Sequence, residues 1–277
     1  MNYDALVQET IDAHKVTPVD MLGIGDASGE YAYLNSHRHS YVRTVGDVDG
    51  LYGYARGATR VLEIGSFLGA VSVSLKTLGY DVSSLDIPEF HGSASLRALY
   101  ERNGIRYDGV NLRSYSLPYE SESFDVIVIC EVIEHLNFNP LPVLKELNRI
   151  LKQGGHLYIG MPNQSHVVNR VRLSLGRSIH NTIDDYFKQL DLTDNMIVGL
   201  HWREYTLPET VEMLGRMGFE TTRAYYFTEK GTGGSGSIRT AVKHLLYAYP
   251  PFRPYQVVIG RKISVPAYNF WLTAANS

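Results

Sequence analysis

The stretch Arg60–Pro88 reads RVLEIGSFLGAVSVSLKTLGYDVSSLDIP and decides the fold. Val61–Ile64 is a short apolar run of the kind that forms a buried strand. Gly65-Ser66-Phe67-Leu68-Gly69 then turns into an apolar-periodic segment, Ala70–Leu78. A second strand-like run, Asp81–Leu85, ends at an acid, Asp86. Strand, glycine turn, helix, strand and carboxylate form the start of a nucleotide-type βαβ unit. Its glycines permit positive φ and close backbone approach, and its helix start exposes free N–H groups. An acid at the end of the second strand can accept two ribose hydroxyls. The unit therefore points to a ribose-bearing ligand.

Outward from this unit, alternation continues. Ser93–Asn103 has helical spacing, and a short strand is expected near Gly109–Leu112. Ser123–Ile129 (SFDVIVI) is a strand buried on both faces, by its unbroken Val and Ile run. A helix near Pro142–Leu151 and a strand at His156–Gly160 follow. Thr206-Leu207-Pro208-Glu209 is a capping-box pattern opening a helix to Met217. Glu220–Phe227 and Tyr255–Ile263 read as strands, with GTGGSGS at 231–237 as a loop tip and a short helix at Ile238–Tyr247 between them. The expected class is α/β, a doubly wound sheet, mostly parallel with an antiparallel last strand and helices on both faces. Residues 1–55 are expected to form an N-terminal cap over the mouth of this fold. Within them, 4–15 is weakly helical, and Tyr31–Tyr54 has no visible regular core element. The main domain is 56–277, with a lid-like insertion at about 163–205 and a C-terminal insertion at about 228–254.

The 277 residues, 44% hydrophobic and 20% charged, suit a soluble globular chain. A formal net charge of −3 supplies no basic field, so nucleic acid is not the expected partner. Twenty tyrosines cluster toward both ends and suit a lined pocket or half-buried packing equally. The lone cysteine, Cys130, excludes an internal disulfide and any multi-cysteine zinc site. MNYDALVQETIDAHK lacks the apolar core of a signal peptide, and no run approaches membrane-span length. A cytoplasmic location is expected.

Three ribose-bearing ligands compete at the turn. A P-loop needs Gly-Lys-Ser/Thr, and no lysine is present; a dinucleotide fingerprint needs a glycine where Phe67 stands. The looser turn suits S-adenosylmethionine, with Glu63 toward a cationic end. The second half of the core narrows the choice. Leu117-Pro118-Tyr119, Ser123–Ile127, Glu131-Val132-Ile133-Glu134-His135-Leu136 and Leu151-Lys152-Gln153-Gly154-Gly155 follow in order. Together with the helix-Gly218-Phe219-strand unit, this series resembles the class I S-adenosylmethionine-dependent methyltransferases, over about residues 58–227. It is similar in particular to the branch carrying EVIEHL, which includes the ubiquinone-pathway O-methyltransferases.

The resemblance implies a Rossmann-like sheet and a set of roles. Glu63, Gly65, Ser66 and Gly69 would line the methionine side of the S-adenosyl-L-methionine. Asp86 would take the ribose hydroxyls, Ile87 would lie on the adenine, and Asn111-Leu112 would sit near it, with asparagine where an acid is usual. Cys130 and Glu131 would lie beside the reactive methyl.

If the segment after Cys130 is helical, Glu131, Glu134 and His135 share one surface. With His201, from His201-Trp202-Arg203-Glu204-Tyr205-Thr206, they resemble the divalent-metal (Mg2+-type) site of metal-dependent relatives. Glu131, His135 and His201 are the candidate catalytic groups, and a metal-free histidine base is the competing reading. His37 and His39 could reach the site from the cap, although two histidines in a polar loop are usually only solvated. The expected reaction is O-methylation of a small molecule or saccharide. A metal-dependent RNA-end 2′-O-methyltransferase and a non-catalytic cofactor-binding partner subunit stand as alternatives.

Overall fold

The computed structural model describes residues 1–19, 28–188, 199–228 and 238–268. The expected glycine-rich loop tip at 231–237 lies outside these residues, as do residues 189–198 of the lid-like insertion. A seven-stranded sheet forms the centre, in the order β3-β2-β1-β4-β5-β7-β6. Its strands are β1 (Arg60–Ile64), β2 (Asp81–Asp86), β3 (Arg106–Gly109), β4 (Phe124–Cys130), β5 (Leu151–Pro162), β6 (Phe219–Phe227) and β7 (Tyr255–Lys262). The first five run parallel, and β7 is antiparallel to both β5 and β6. The antiparallel last strand is as the sequence suggests. The short strand expected near 109–112 lies a few residues earlier, because Asn111 caps a 3-10 turn at Leu112–Ser114 instead.

Side chains alternate across the central strands and define two cores. Val61, Val126, Val128, Tyr158, Val257 and Ile259 face one side. Leu62, Ile64, Ile127, Ile129, Leu157 and Ile159 face the other, with α6 (Leu141–Ile150) and α9 (Leu207–Arg216) packed over them. The capping box of α9 forms as expected: Thr206 Oγ1 accepts from the Glu209 N–H, and Glu209 Oε2 accepts from the Thr206 N–H at 2.8 Å.

The first core is covered by α1 (Tyr3–Val16), α2 (Ser28–Tyr52) and α3 (Ala70–Thr77), with α4 (Pro88–His91) and α5 (Ala94–Arg102) at the β2–β3 side. Here the sequence reading of Tyr31–Tyr54 needs correction. The segment is most of a 25-residue helix, α2, and Leu34, Val45 and Val48 are fully buried within the main core. Its apolar stripe is thin because much of what it buries is polar and paired at long range. Thr44 Oγ1 lies 3.1 Å from the Tyr158 hydroxyl, and Arg223 Nη1 donates to Asp47 Oδ1 at 2.8 Å. Asp49 receives two bonds from Arg56, at 2.6 and 2.7 Å, and one from Tyr80 at 2.8 Å. A bidentate guanidinium holds the Asp49 carboxyl at a pKa of about 2. Beyond β5, the insertion contains α7 (Val167–Ser174) and α8 (Ile183–Lys188), and the C-terminal insertion contains α10 (Ile238–Tyr247).

Candidate active site

The strand order reverses between β1 and β4, which is where open α/β sheets bind ligands. Both chain exits at this crevice are bent. After β1, Gly65 has φ +69° and Gly69 +73°, and Phe67 between them adopts φ +44°. A Cβ on Gly65 would fall 2.3 Å from Val132 Cγ2, so no other residue fits there. After β4, Glu131 also sits in the left-handed region, at φ +55°. Non-glycine residues held there concentrate at functional sites.

Asp86 ends β2 and is buried. Its Oδ2 accepts from the Phe67 N–H at 2.6 Å and its Oδ1 from the Ile87 N–H at 2.8 Å. Burial outweighs these two bonds and pushes its pKa up to about 6. Ser66 Oγ accepts from the Tyr100 hydroxyl at 2.7 Å, which fixes the turn to α5. Glu63 is turned beneath the glycine turn, where its carboxyl accepts from the Ser72 hydroxyl, itself 2.6 Å from Ser84 Oγ. Burial raises the Glu63 pKa to about 8, so in this geometry it is neutral at pH 7. Asn111 spends its Oδ1 on the Arg113 N–H at 2.9 Å, leaving its amide nitrogen as the free donor. Leu112 lines a small, wholly apolar hollow with Val132, Ile133 and Leu136.

The segment Glu131–His135 is not an α-helix. A 3-10 turn covers Ile133–His135, so the expected i, i+4 pairing of Glu131 with His135 does not arise. The left-handed residue and the tight turn bring the groups together differently. Ligand atoms of Glu134, His135 and His201 all lie within 4.8 Å of one another, the one such triple of metal-ligating type among the described residues. Glu131 stands beside it and accepts from Ser40 Oγ at 3.2 Å. His201 is brought in by the backbone: the Trp202 N–H donates to the Glu134 carbonyl at 2.8 Å. The His135 and His201 rings meet edge to face at 4.9 Å.

The electrostatics are those of a site built for a proton or a cation. Glu134 is 0% exposed and neither of its carboxyl oxygens has a hydrogen-bond donor. Burial, then repulsion from Glu131, raises its pKa well above the carboxylate range, and burial raises that of Glu131 as well. His135 Nδ1 is 3.0 Å from the Leu200 carbonyl, which fixes the hydrogen there and leaves Nε2, 3.9 Å from Glu134 Oε1. Burial and the neighbouring His201 lower the His135 pKa to about 4, so the ring is a neutral donor of its lone pair. An orphaned buried carboxyl facing two imidazoles fits a divalent cation as a donor set.

Besides His37, the cap helix supplies residues that the sequence reading passed over. Tyr33, His37, Ser40, Tyr41 and Thr44 recur at helical spacing on α2. Ser40 touches Glu131, and Tyr33 packs edge-on to Phe67 at 5.2 Å. His37 stacks on Tyr33 at 4.1 Å and has Nδ1 3.0 Å from the Tyr33 carbonyl. It therefore belongs to the wall of the crevice and not to a solvated loop. His39 turns away, onto Tyr255 at 4.5 Å. The spacing was the available signal, hidden because its members are polar.

Residues 62–159 match the family described as Methyltransferase domain. The strand order and the crevice agree with that match, and in fold the chain is similar to the class of S-adenosylmethionine-dependent methyltransferases. Within that class it is similar to proteins named ubiquinone biosynthesis O-methyltransferase. One from Aliivibrio fischeri is 27% identical over 201 residues, 65% of this chain and 82% of that protein. Another, from Paraburkholderia phymatum, is 32% identical over 107 residues, and there the chain spans 45% of the relative's length and 38% of its own. The crystal structure of a SAM-dependent methyltransferase from Thermotoga maritima shares the fold, with a TM-score of 0.53 at 20% identity, covering 84% of this chain and 95% of that one. No helix among the described residues is long and apolar enough to cross a membrane.

Proposed function

We propose that the protein methylates a hydroxyl oxygen of a small organic acceptor, a phenol-like molecule or a saccharide. The observation that carries this reading is the Glu131–Glu134–His135–His201 cluster, gathered beyond the end of β4, the strand that pairs with β1 and its glycine turn. Bound S-adenosylmethionine supplies an electrophilic methyl on a sulfonium. In the transfer, the acceptor oxygen forms a bond to the methyl carbon, and the carbon–sulfur bond breaks with its electron pair on sulfur. The hydroxyl proton must leave. A hydroxyl gains from such a cluster because its oxygen is a poor nucleophile until the proton is taken up.

The residue roles follow the crevice. Asp86 accepts the ribose hydroxyls, and Ile87 and Leu112 flank the base, beside Asn111. Gly65, Ser66 and Gly69 face the methionine portion, and Glu63 beneath them supplies countercharge once ionised. Glu131, Glu134, His135 and His201 would hold a divalent cation, which would supply Lewis acidity toward the acceptor hydroxyl; without it, one of the imidazoles would take the proton directly. Positioning of donor and acceptor in line supplies the rest of the rate.

The test is a panel of phenols, catechols, saccharides and RNA 3′ ends incubated with S-adenosylmethionine, with products read by mass spectrometry. Methylated small-molecule hydroxyls, with turnover suppressed by chelation and restored by Mg2+ or Mn2+, are the expected result. Preference for RNA ends would replace the acceptor assignment. Calorimetric binding of S-adenosylmethionine without turnover on any acceptor would favour a partner subunit and refute the enzyme reading of the cluster.

A further inference from the structure

His201 is held by a carboxylate that no sequence motif assigned a task. Its Nδ1 lies 2.8 Å from Glu204 Oε1. A histidine and a glutamate three residues apart on a surface would be an incidental pair. This pair is half-buried, with the Glu204 side chain 12% exposed and that of His201 31%. Its second oxygen is also used: Asn169 Nδ2 donates to Glu204 Oε2 at 3.2 Å and to the Gln164 carbonyl at 3.0 Å. Asn169 is itself buried, on α7 in the insertion after β5. The backbone is fixed on both sides. The His201 N–H donates to Asn181 Oδ1 at 3.0 Å, and the Gln164 N–H donates to the Tyr205 carbonyl at 3.1 Å.

From these contacts we infer that Glu204, clamped by Asn169, is a positioning residue that fixes His201 as its Nδ1–H tautomer and leaves Nε2 to serve the Glu134–His135 pair. A neutral imidazole carries one hydrogen, and an anionic acceptor 2.8 Å from Nδ1 places it there. The remaining lone pair is then on Nε2. His135 is set the same way, with the Leu200 carbonyl in place of the carboxylate. Two imidazoles with matched tautomers thus face one buried acid. Outer partners of this kind, when removed from metal-ligating histidines, typically cost ten- to a hundred-fold in affinity. The contact also wires the insertion to the site, because α7 reaches His201 only through Asn169 and Glu204 among the contacts described.

The inference deepens the cation reading proposed above, and its test separates the two. Uniformly 15N-labelled full-length protein is examined by long-range 1H–15N correlation, which distinguishes protonated from bare imidazole nitrogens, with His201→Gln giving the assignment. Mn2+ binding is measured by calorimetry on the same samples. The expected result is a single Nδ1–H form of His201 in the wild type. Glu204→Ala should give a mixture of tautomers and a ten- to a hundred-fold loss of Mn2+ affinity. Glu204→Gln keeps one acceptor and should retain the tautomer with a smaller loss, and Asn169→Ala should fall between them. Far-UV circular dichroism checks that each variant is folded. A Glu204→Ala protein with an unchanged single tautomer and wild-type Mn2+ affinity would overturn the positioning role. A wild type that binds no Mn2+ while its tautomer depends on Glu204 would overturn the cation reading and leave the positioning role standing.

Discussion

Glu63 offers the most quantitative check on how the cofactor turn is built. Its carboxyl is buried against Ser72 and Ser84, and its pKa rises from 4.5 to about 8, chiefly through burial. For an acid raised in the folded state, the unfolded chain ionises first as pH increases. Below about pH 4.5 both states are protonated and the group contributes no difference; between there and about pH 8 the folded protein loses stability with each step. One pH unit in that window corresponds to ~1.4 kcal/mol. From about pH 5.5 to 7, this single group should therefore remove about 2 kcal/mol. Glu63→Gln keeps the shape, its amide can donate to either serine oxygen, and it does not titrate. Urea unfolding of wild type and variant at these two pH values isolates the group, since the other buried acids cancel in the difference. The variant should gain on the wild type by about 2 kcal/mol as pH rises. A difference independent of pH would refute the neutral, buried state. The same residue should also make cofactor binding release a proton near pH 7, read by calorimetry in buffers of different ionisation enthalpy.

Two further changes address the turn and the ribose site. Asp86→Ala removes a buried acceptor of charge-assisted bonds and should weaken S-adenosylmethionine binding at least ten-fold by calorimetry. Near-normal affinity would remove Asp86 from the ribose site. Gly65→Ala places a methyl 2.3 Å from Val132 Cγ2 at a φ of +69°. It should cost ~2 kcal/mol or more in urea unfolding, and an unperturbed midpoint would show that the turn can relax.

The legible parts of this chain are those whose burial is apolar and local. Val126–Ile129 lies buried on both faces and reads as a strand, and Thr206–Glu209 announces its helix through two reciprocal bonds three residues apart. The glycine turn was visible because its residues are contiguous. α2 was not legible, and the reason is specific. Ser40, Thr44, Asp47 and Asp49 are buried polar groups whose partners, Glu131, Tyr158, Arg223 and Arg56, come largely from distant parts of the chain. Hydrophobic periodicity cannot register a helix that buries its polar side. The EVIEH geometry was misjudged for a related reason. A left-handed Glu131 leaves no mark in residue spacing, yet it decides which side chains converge. Glu204 was unreadable because its importance depends on Asn169, 35 positions away.

The two strained residues and the cap helix belong to one arrangement. Phe67 and Glu131 close adjacent strands, and each carries φ values that only a well-packed surrounding maintains. α2 contacts both: Tyr33 packs on the Phe67 ring and Ser40 donates to Glu131. Those two helix positions are seven residues apart, about 10 Å along the axis. The helix thus touches the glycine turn at one point and the acid–imidazole cluster two turns later, and spans the distance between them. Methyl transfer in line depends on that distance more than on any single acid or base. On the function proposed above, α2 would belong to the machinery that aligns donor and acceptor.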